Sequence, residues 1–174
     1  MVAEASVALT LVRRAGSDTL GKLESAARLR YREAQALQAQ GEQLGAIYLY
    51  GYSIEIRLKV AYYRTIGLGP ATVVSNLHRK PAEDAIKNLP ALPAGTSPGH
   101  HVVGWARLLE QTRASQGSPM DSSMVTAMHR HADNVFQCWV EFLRYRANKP
   151  YNQELQAVVD AAKWFRKFSR RLWR

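Results

Sequence analysis

The chain has 174 residues, 47% hydrophobic and 22% charged, which is the length of one domain with enough apolar material for a core and excludes a disordered chain. Its single cysteine, Cys138, excludes an intramolecular disulfide and a cysteine-based zinc cluster and suits a reducing compartment. The net charge is +10, and six of those charges lie in residues 163–174 (Lys163, Arg166, Lys167, Arg170, Arg171, Arg174) with no acid among them, so the rest of the chain carries +4.

Residues 1–16 are expected to form an N-terminal arm, with a weak alternation at Val7, Leu9 and Leu11. Glu4 precedes this short apolar run and Arg13 and Arg14 follow it, the reverse of a secretory signal. No stretch approaches twenty apolar residues, so no membrane span is expected and a cytoplasmic location is the default. A first helix is expected to run from Ser17 or Asp18 as cap to about Gln40, with Glu24 in an early turn.

Gly41 interrupts the pattern, and a second helix follows from about Glu42 to Ile66, ended by Gly67-Leu-Gly-Pro70. At about 100° per residue, Ile47, Gly51, Ile54, Leu58 and Ala61 share one face, and Leu49, Ile56 and Val60 lie opposite. A helix apolar on both sides sits at the centre of a bundle. Glu55 and Arg57 fall on the flanks between the two faces, and a carboxylate placed there needs a partner.

Residues 71–99 read as a middle region with one short apolar-periodic piece, Ala82 to Leu89, followed by turn-forming Pro and Gly residues. A third helix is expected over about 100–114, a fourth over about 122–147 with Asp121 or Ser122 as cap, and a last over about 152–173 with Asn152 as cap and Glu154 in its first turn. The whole is an all-α, four- to five-helix up-and-down bundle making up a single domain, 17–174.

Three pieces, Gly51-Tyr-Ser-Ile-Glu-Ile-Arg-Leu-Lys59, His101-Val-Val-Gly-Trp-Ala-Arg-Leu-Leu109 and Trp139 followed by Arg144-Tyr145, occur here in an order and spacing that resembles the HEPN domains of bacteria and archaea. The resemblance covers about residues 24–170. It implies a four- or five-helix bundle, often dimeric, of the kind found in toxin–antitoxin, phage-defence and RNA-processing systems. Many such domains are metal-independent ribonucleases with an Arg followed four to six residues later by His. None of His78, His100, His101, His129 and His131 has an Arg at that distance upstream, so no catalytic residues carry over. The resemblance therefore implies a non-catalytic interaction module, acting as a homodimer or in a heteromeric complex with a protein partner or RNA.

The remaining constellations each admit a plain reading. Adjacent His100 and His101 point about 100° apart, which suits helix-start capping better than joint ligation of a metal. His129 and His131 flank Arg130; His129 falls on the apolar face, and a role for His129 and Arg130 in a diverged ribonuclease site is the alternative. Glu55 is expected to pair with Arg144 or Arg146 of the fourth helix and fix helix register, rather than act as a general base.

On the last helix, Lys163, Lys167, Arg170, Arg171 and Arg174 form a basic strip bordered by Trp164 and Phe168, a pattern suited to phosphate neutralisation and base stacking. A solvated face near a helix C-terminus and an amphipathic helix on anionic lipid are the competing readings of the same strip. Tyr48, Tyr50, Tyr52, Tyr62 and Tyr63 could line a pocket in a small-nucleotide sensor, although such rings in bundles more often pack with their hydroxyls at the rim. No metal and no cofactor is expected: there is no Gly-rich phosphate loop, nucleophile elbow or His-Glu-x-x-His motif.

Overall fold

The computed structural model describes residues 18–174, so the expected arm over 1–16 and the cap at Ser17 lie outside the described residues. Within them the protein is all-helical, with six α-helices: α1 (Leu20–Ala39), α2 (Gln43–Thr65), α3 (Asn76–Lys87), α4 (Val102–Ser115), α5 (Ser122–Cys138) and α6 (Asn152–Phe168). Two short 3₁₀ turns, Pro98–His100 and Glu141–Tyr145, lie between them. No sheet forms among the described residues beyond a single bridge between Thr19 and Val73. Among the described residues no helix is long and apolar enough to cross a membrane.

The doubly apolar helix does lie at the centre. α2 packs against α1, α4 and α6, while α4 also meets α5 and α5 meets α6, closing a ring of four helices with α1 laid on the outside. Ile47, Ile54, Leu58 and Ala61 are buried, and so is Val60 on the opposite side. The approach is closest at Gly51, where an added Cβ would fall 2.1 Å from Cδ1 of the Trp139 indole. Only a residue without a side chain lets that ring lie flat on α2. A second close approach, at Gly104 of α4, leaves 2.5 Å between a built Cβ and Ile86 of α3.

Several boundaries differ from the pattern reading, each for a local reason. Thr19, not Asp18, caps α1, its hydroxyl accepting from the Lys22 amide at 3.3 Å. The Asp18 carbonyl accepts from the Val74 amide at 2.8 Å. The piece read as 82–89 is the second half of a helix that starts at Asn76 and tolerates Pro81 inside it. His101 caps α4, with Nδ1 accepting from Gly104 N–H at 3.2 Å and Nε2–H donating to the Pro93 carbonyl at 2.9 Å.

Asp121 caps α5 as expected, accepting from the Met124 amide at 2.9 Å. α5 ends at Cys138 instead of near 147, because Trp139 and Val140 turn to extended backbone. Trp139 leaves the helical path to bury its ring against Gly51 and to donate from Nε1 to the Tyr48 carbonyl at 3.0 Å. Tyr151 precedes α6, its amide donating to Glu154 at 2.6 Å, and Asn152 is the first helical residue instead of the cap.

Candidate functional site: an arginine-lined cleft

The last helix is apolar on one side, burying Val158, Val159, Ala162 and Phe165, and it continues in irregular turns that bury Leu172. What fixes those final turns is Arg113 of α4. Its guanidinium is buried and donates to the carbonyls of Arg171 and Leu172, at 3.0 and 3.1 Å, and through Nε to the Ser118 carbonyl at 2.8 Å. A buried cation thus satisfies carbonyls of the turns that follow α6.

So held, the turns after α6 face α1 and α2 across a cleft of about 350 Å³. Its walls are Glu24, Ala27 and Arg28 from α1, Arg57, Val60 and Arg64 from α2, and Ser169, Arg170, Trp173 and Arg174 from the tail. Five arginines face one carboxylate. Glu24 is engaged by Arg64, whose Nη2 and Nε reach the same oxygen at 3.0 and 3.3 Å.

Arg28, Arg57, Arg170 and Arg174 form no ion pair among the described residues, and the Arg57 Nε is sealed from solvent with no hydrogen-bond partner. Burial, and then repulsion from Arg166 and Arg28, lower the Arg57 guanidinium from 12.5 to about 10, so it stays a cation at neutral pH in an unfavourable place. Trp173 organises two of the group: the Arg64 and Arg174 guanidiniums each lie 5.5 Å from its ring. Arg166 sits over Tyr31 at 5.0 Å just outside.

The basic strip read from the sequence divides on folding. Arg170 and Arg174 line the cleft, Arg171 turns to Asp121 at 3.5 Å, and Lys163 and Lys167 stay on an exposed face. Trp164 and Phe168 are half-buried and packed on each other, 5.2 Å between centroids, with Trp164 also against His131. Lys167 and Arg171 stand over Phe168 at 5.2 and 5.6 Å. Arg57, Arg28 and Arg64 were not among the residues singled out for binding. A usable signal existed for Arg57, since positions 53, 54, 60 and 61, three or four residues away, hold no acid.

Glu55 is 2% exposed, and its partners are not Arg144 or Arg146. Lys59 meets one oxygen at 2.5 Å, and His100 Nδ1 meets the other at 2.9 Å. Arg144 and Arg146 lie exposed on the 3₁₀ turn and just after it, over Tyr145 and Phe142, because α5 has already ended and the turn meets α2 near Tyr48, where Arg144 engages the tyrosine instead of Glu55. Hydrogen bonding to Glu55 raises the His100 imidazole above its ordinary 6.5, whereas burial lowers His101.

His129 is partly exposed and pairs with Glu110 of α4 at 2.6 Å. The core face of α5 runs instead through Met124, Met128, Ala132 and Val135. Arg130 lies on a shallow exposed depression with Ser122, Ser123 and Thr126. The tyrosines largely pack on one another: Tyr31 on Tyr50, Tyr48 on Tyr52, Tyr62 on Tyr63 and Trp105, with the Tyr50 hydroxyl donating to Gln38 at 2.8 Å. No cluster of three His, Cys, Asp or Glu side chains suited to a metal occurs among the described residues.

Comparison with known proteins finds no matching family model, no significantly similar curated protein and no significantly similar solved structure, so the cleft's chemistry has to be argued from its own residues.

Proposed function

We propose that the chain is a HEPN-like interaction module that binds single-stranded RNA through the arginine cleft and the adjoining basic face of α6, in a bacterial defence or toxin–antitoxin setting. The observation that carries this reading is the gathering of five arginines from three segments around a single carboxylate, Glu24, in one cleft. Guanidinium forks match phosphate geometry, and cations in such excess over acids are stabilised by a polyanion. The family setting rests on the sequence resemblance in residues 51–59, 101–109 and 139–145.

Binding of a single-stranded RNA oligomer, followed by fluorescence anisotropy across salt concentrations, tests it. Four phosphate contacts give a slope of log K against log salt of about −3. Arg170→Gln, an exposed position, weakens binding without lowering stability. Neutralising charges is the right probe, because cutting the tail away would remove buried Phe165 and Leu172. Salt-independent binding, or none, rejects the reading.

The alternative of an RNase at His129 and Arg130 draws on the solvent-accessible His129–Glu110 pair. It is separated in the same experiment, since it requires shortened RNA that disappears in His129→Ala while binding persists.

The partner side of the proposal draws on residues 141–151, where Tyr145 and Tyr151 are about three-quarters exposed (76% and 77%) beside Arg144 and Arg146. Tyr and Arg are the residues that anchor protein interfaces. A second copy docked there gives twice the chain mass in light scattering and a single-chain mass for Tyr145→Ser. A single-chain mass for the unaltered protein rejects the homodimer.

A further inference from the structure

We propose that the arginine cleft is a site for a phosphomonoester, a terminal phosphate, rather than for the continuous phosphodiester backbone of a nucleic acid. As to the source of that phosphate, the proposal rests on the RNA reading above, in which the occupant is the phosphorylated end of a strand.

Shape is the first argument. The cleft is walled on three sides, by α1, α2 and the turns after α6, and holds about 350 Å³. That room suits an end group with its shell of water. A groove that tracks a backbone is instead long and exposed, as the Lys163 and Lys167 face of α6 is.

Charge is the second argument. After Glu24 is matched to Arg64, the cations of Arg28, Arg57, Arg170 and Arg174 remain. At neutral pH a phosphomonoester carries nearly two negative charges and three terminal oxygens, against one charge and two such oxygens for a diester. Arg57 lines the cleft as a half-buried cation disfavoured by burial and by repulsion from Arg166 and Arg28. A dianion in the cleft supplies the countercharge.

The third argument is what the aromatic residue does. Trp173 has the guanidiniums of Arg64 and Arg174 near its ring, so it orients cations instead of offering a bare platform for a base. Recognition in the cleft is therefore of the phosphate, indifferent to the base that bears it.

The test uses the full chain and one short single-stranded RNA prepared with a 5′-hydroxyl, a 5′-phosphate or a 3′-phosphate end, with adenosine and adenosine monophosphate as small probes. The expected result is at least tenfold tighter binding of a phosphorylated end. That preference falls to less than twofold in Arg57→Gln and in Arg170→Gln, and it fades as pH drops below about 6, where the monoester loses its second charge. Adenosine monophosphate raises the melting temperature of the unaltered protein, adenosine does not, and the shift is absent in Arg57→Gln.

Arg57→Gln removes a cation crowded by others, so it folds at least as well as the parent. Arg170→Gln, wholly at the surface, gives an independent check. If RNA binds with a steep salt slope but all three ends bind alike, the terminal-phosphate site is overturned while the RNA reading survives. If no RNA binds but adenosine monophosphate stabilises in an Arg57-dependent way, the site stands with a free phosphomonoester as its occupant, and the RNA reading falls. Failure of both probes overturns the two together.

Discussion

Glu55→Gln is expected to destabilise the protein by about 3 kcal/mol near pH 6, read as a lower urea midpoint with an unchanged slope. The carboxylate is buried between Lys59 and His100, and an amide in its place keeps the shape but removes the countercharge from both. Losing one member of a buried pair costs roughly 3–5 kcal/mol, and the lower end applies because Lys59 and His100 are partly exposed (22% and 35%) and can recover some hydration.

The size of the effect depends on pH in a definite direction. His100 has a folded-state value raised above 6.5 by its bond to Glu55. Its contribution is therefore complete below 6.5 and is lost as pH climbs through the raised value. The gap between the parent and Glu55→Gln narrows on going from pH 6 to pH 9. His101 and His131, both lowered by burial, affect parent and variant alike and cancel in the difference. A gap that stays constant or widens over that range contradicts the His100 assignment, and a loss below about 0.5 kcal/mol contradicts the burial of the carboxylate.

Gly51→Ala carries an effect of comparable size by a purely steric route. The new methyl would lie 2.1–2.3 Å from three atoms of the Trp139 indole, so the ring has to leave. Leaving breaks its bond to the Tyr48 carbonyl and its edge contact with Tyr52, and it exposes one of the largest side chains in the core. The expected loss is roughly 3 kcal/mol, at the upper end of what overpacking usually costs. The decisive measurement is the double variant. In a Trp139→Leu background, where the ring is gone, Gly51→Ala should cost less than about 1 kcal/mol, and equal costs in both backgrounds would mean that the two residues do not meet.

The same pair of residues explains where the sequence was legible and where it was not. α2 was readable end to end because its two apolar faces and the flanking glycines are local signals, and so was the cap at Asp121. The end of α5 was not, since residues 139–147 are acceptable helix formers and the helix stops because Trp139 has a deep site on α2, where its partner Tyr48 lies 91 residues back in the chain. The front half of α3 was hidden by Pro81 and the polar residues around it.

Glu55 was recognisable as a buried acid, and Lys59, four residues on, sits at the spacing that stabilises helices. His100 lies 45 residues away and could not be inferred from helical spacing. The cleft is the extreme case. Arg57 was read only as a flank residue, although it has no acid three or four residues away, and nothing local tells that Arg28 and Arg170 come to stand beside it.

Arg113 has a consequence that reaches beyond the turns it anchors. Helix ends ordinarily fray, and a fraying end would present Arg170 and Arg174 as two tethered charges sampling many positions. With the Arg171 and Leu172 carbonyls held from α4 and Leu172 sunk in the core, that freedom is already surrendered when the chain folds. A ligand arriving at the cleft meets a backbone already in place, so the entropy lost on capture is that of the arginine side chains and not of the turns that carry them.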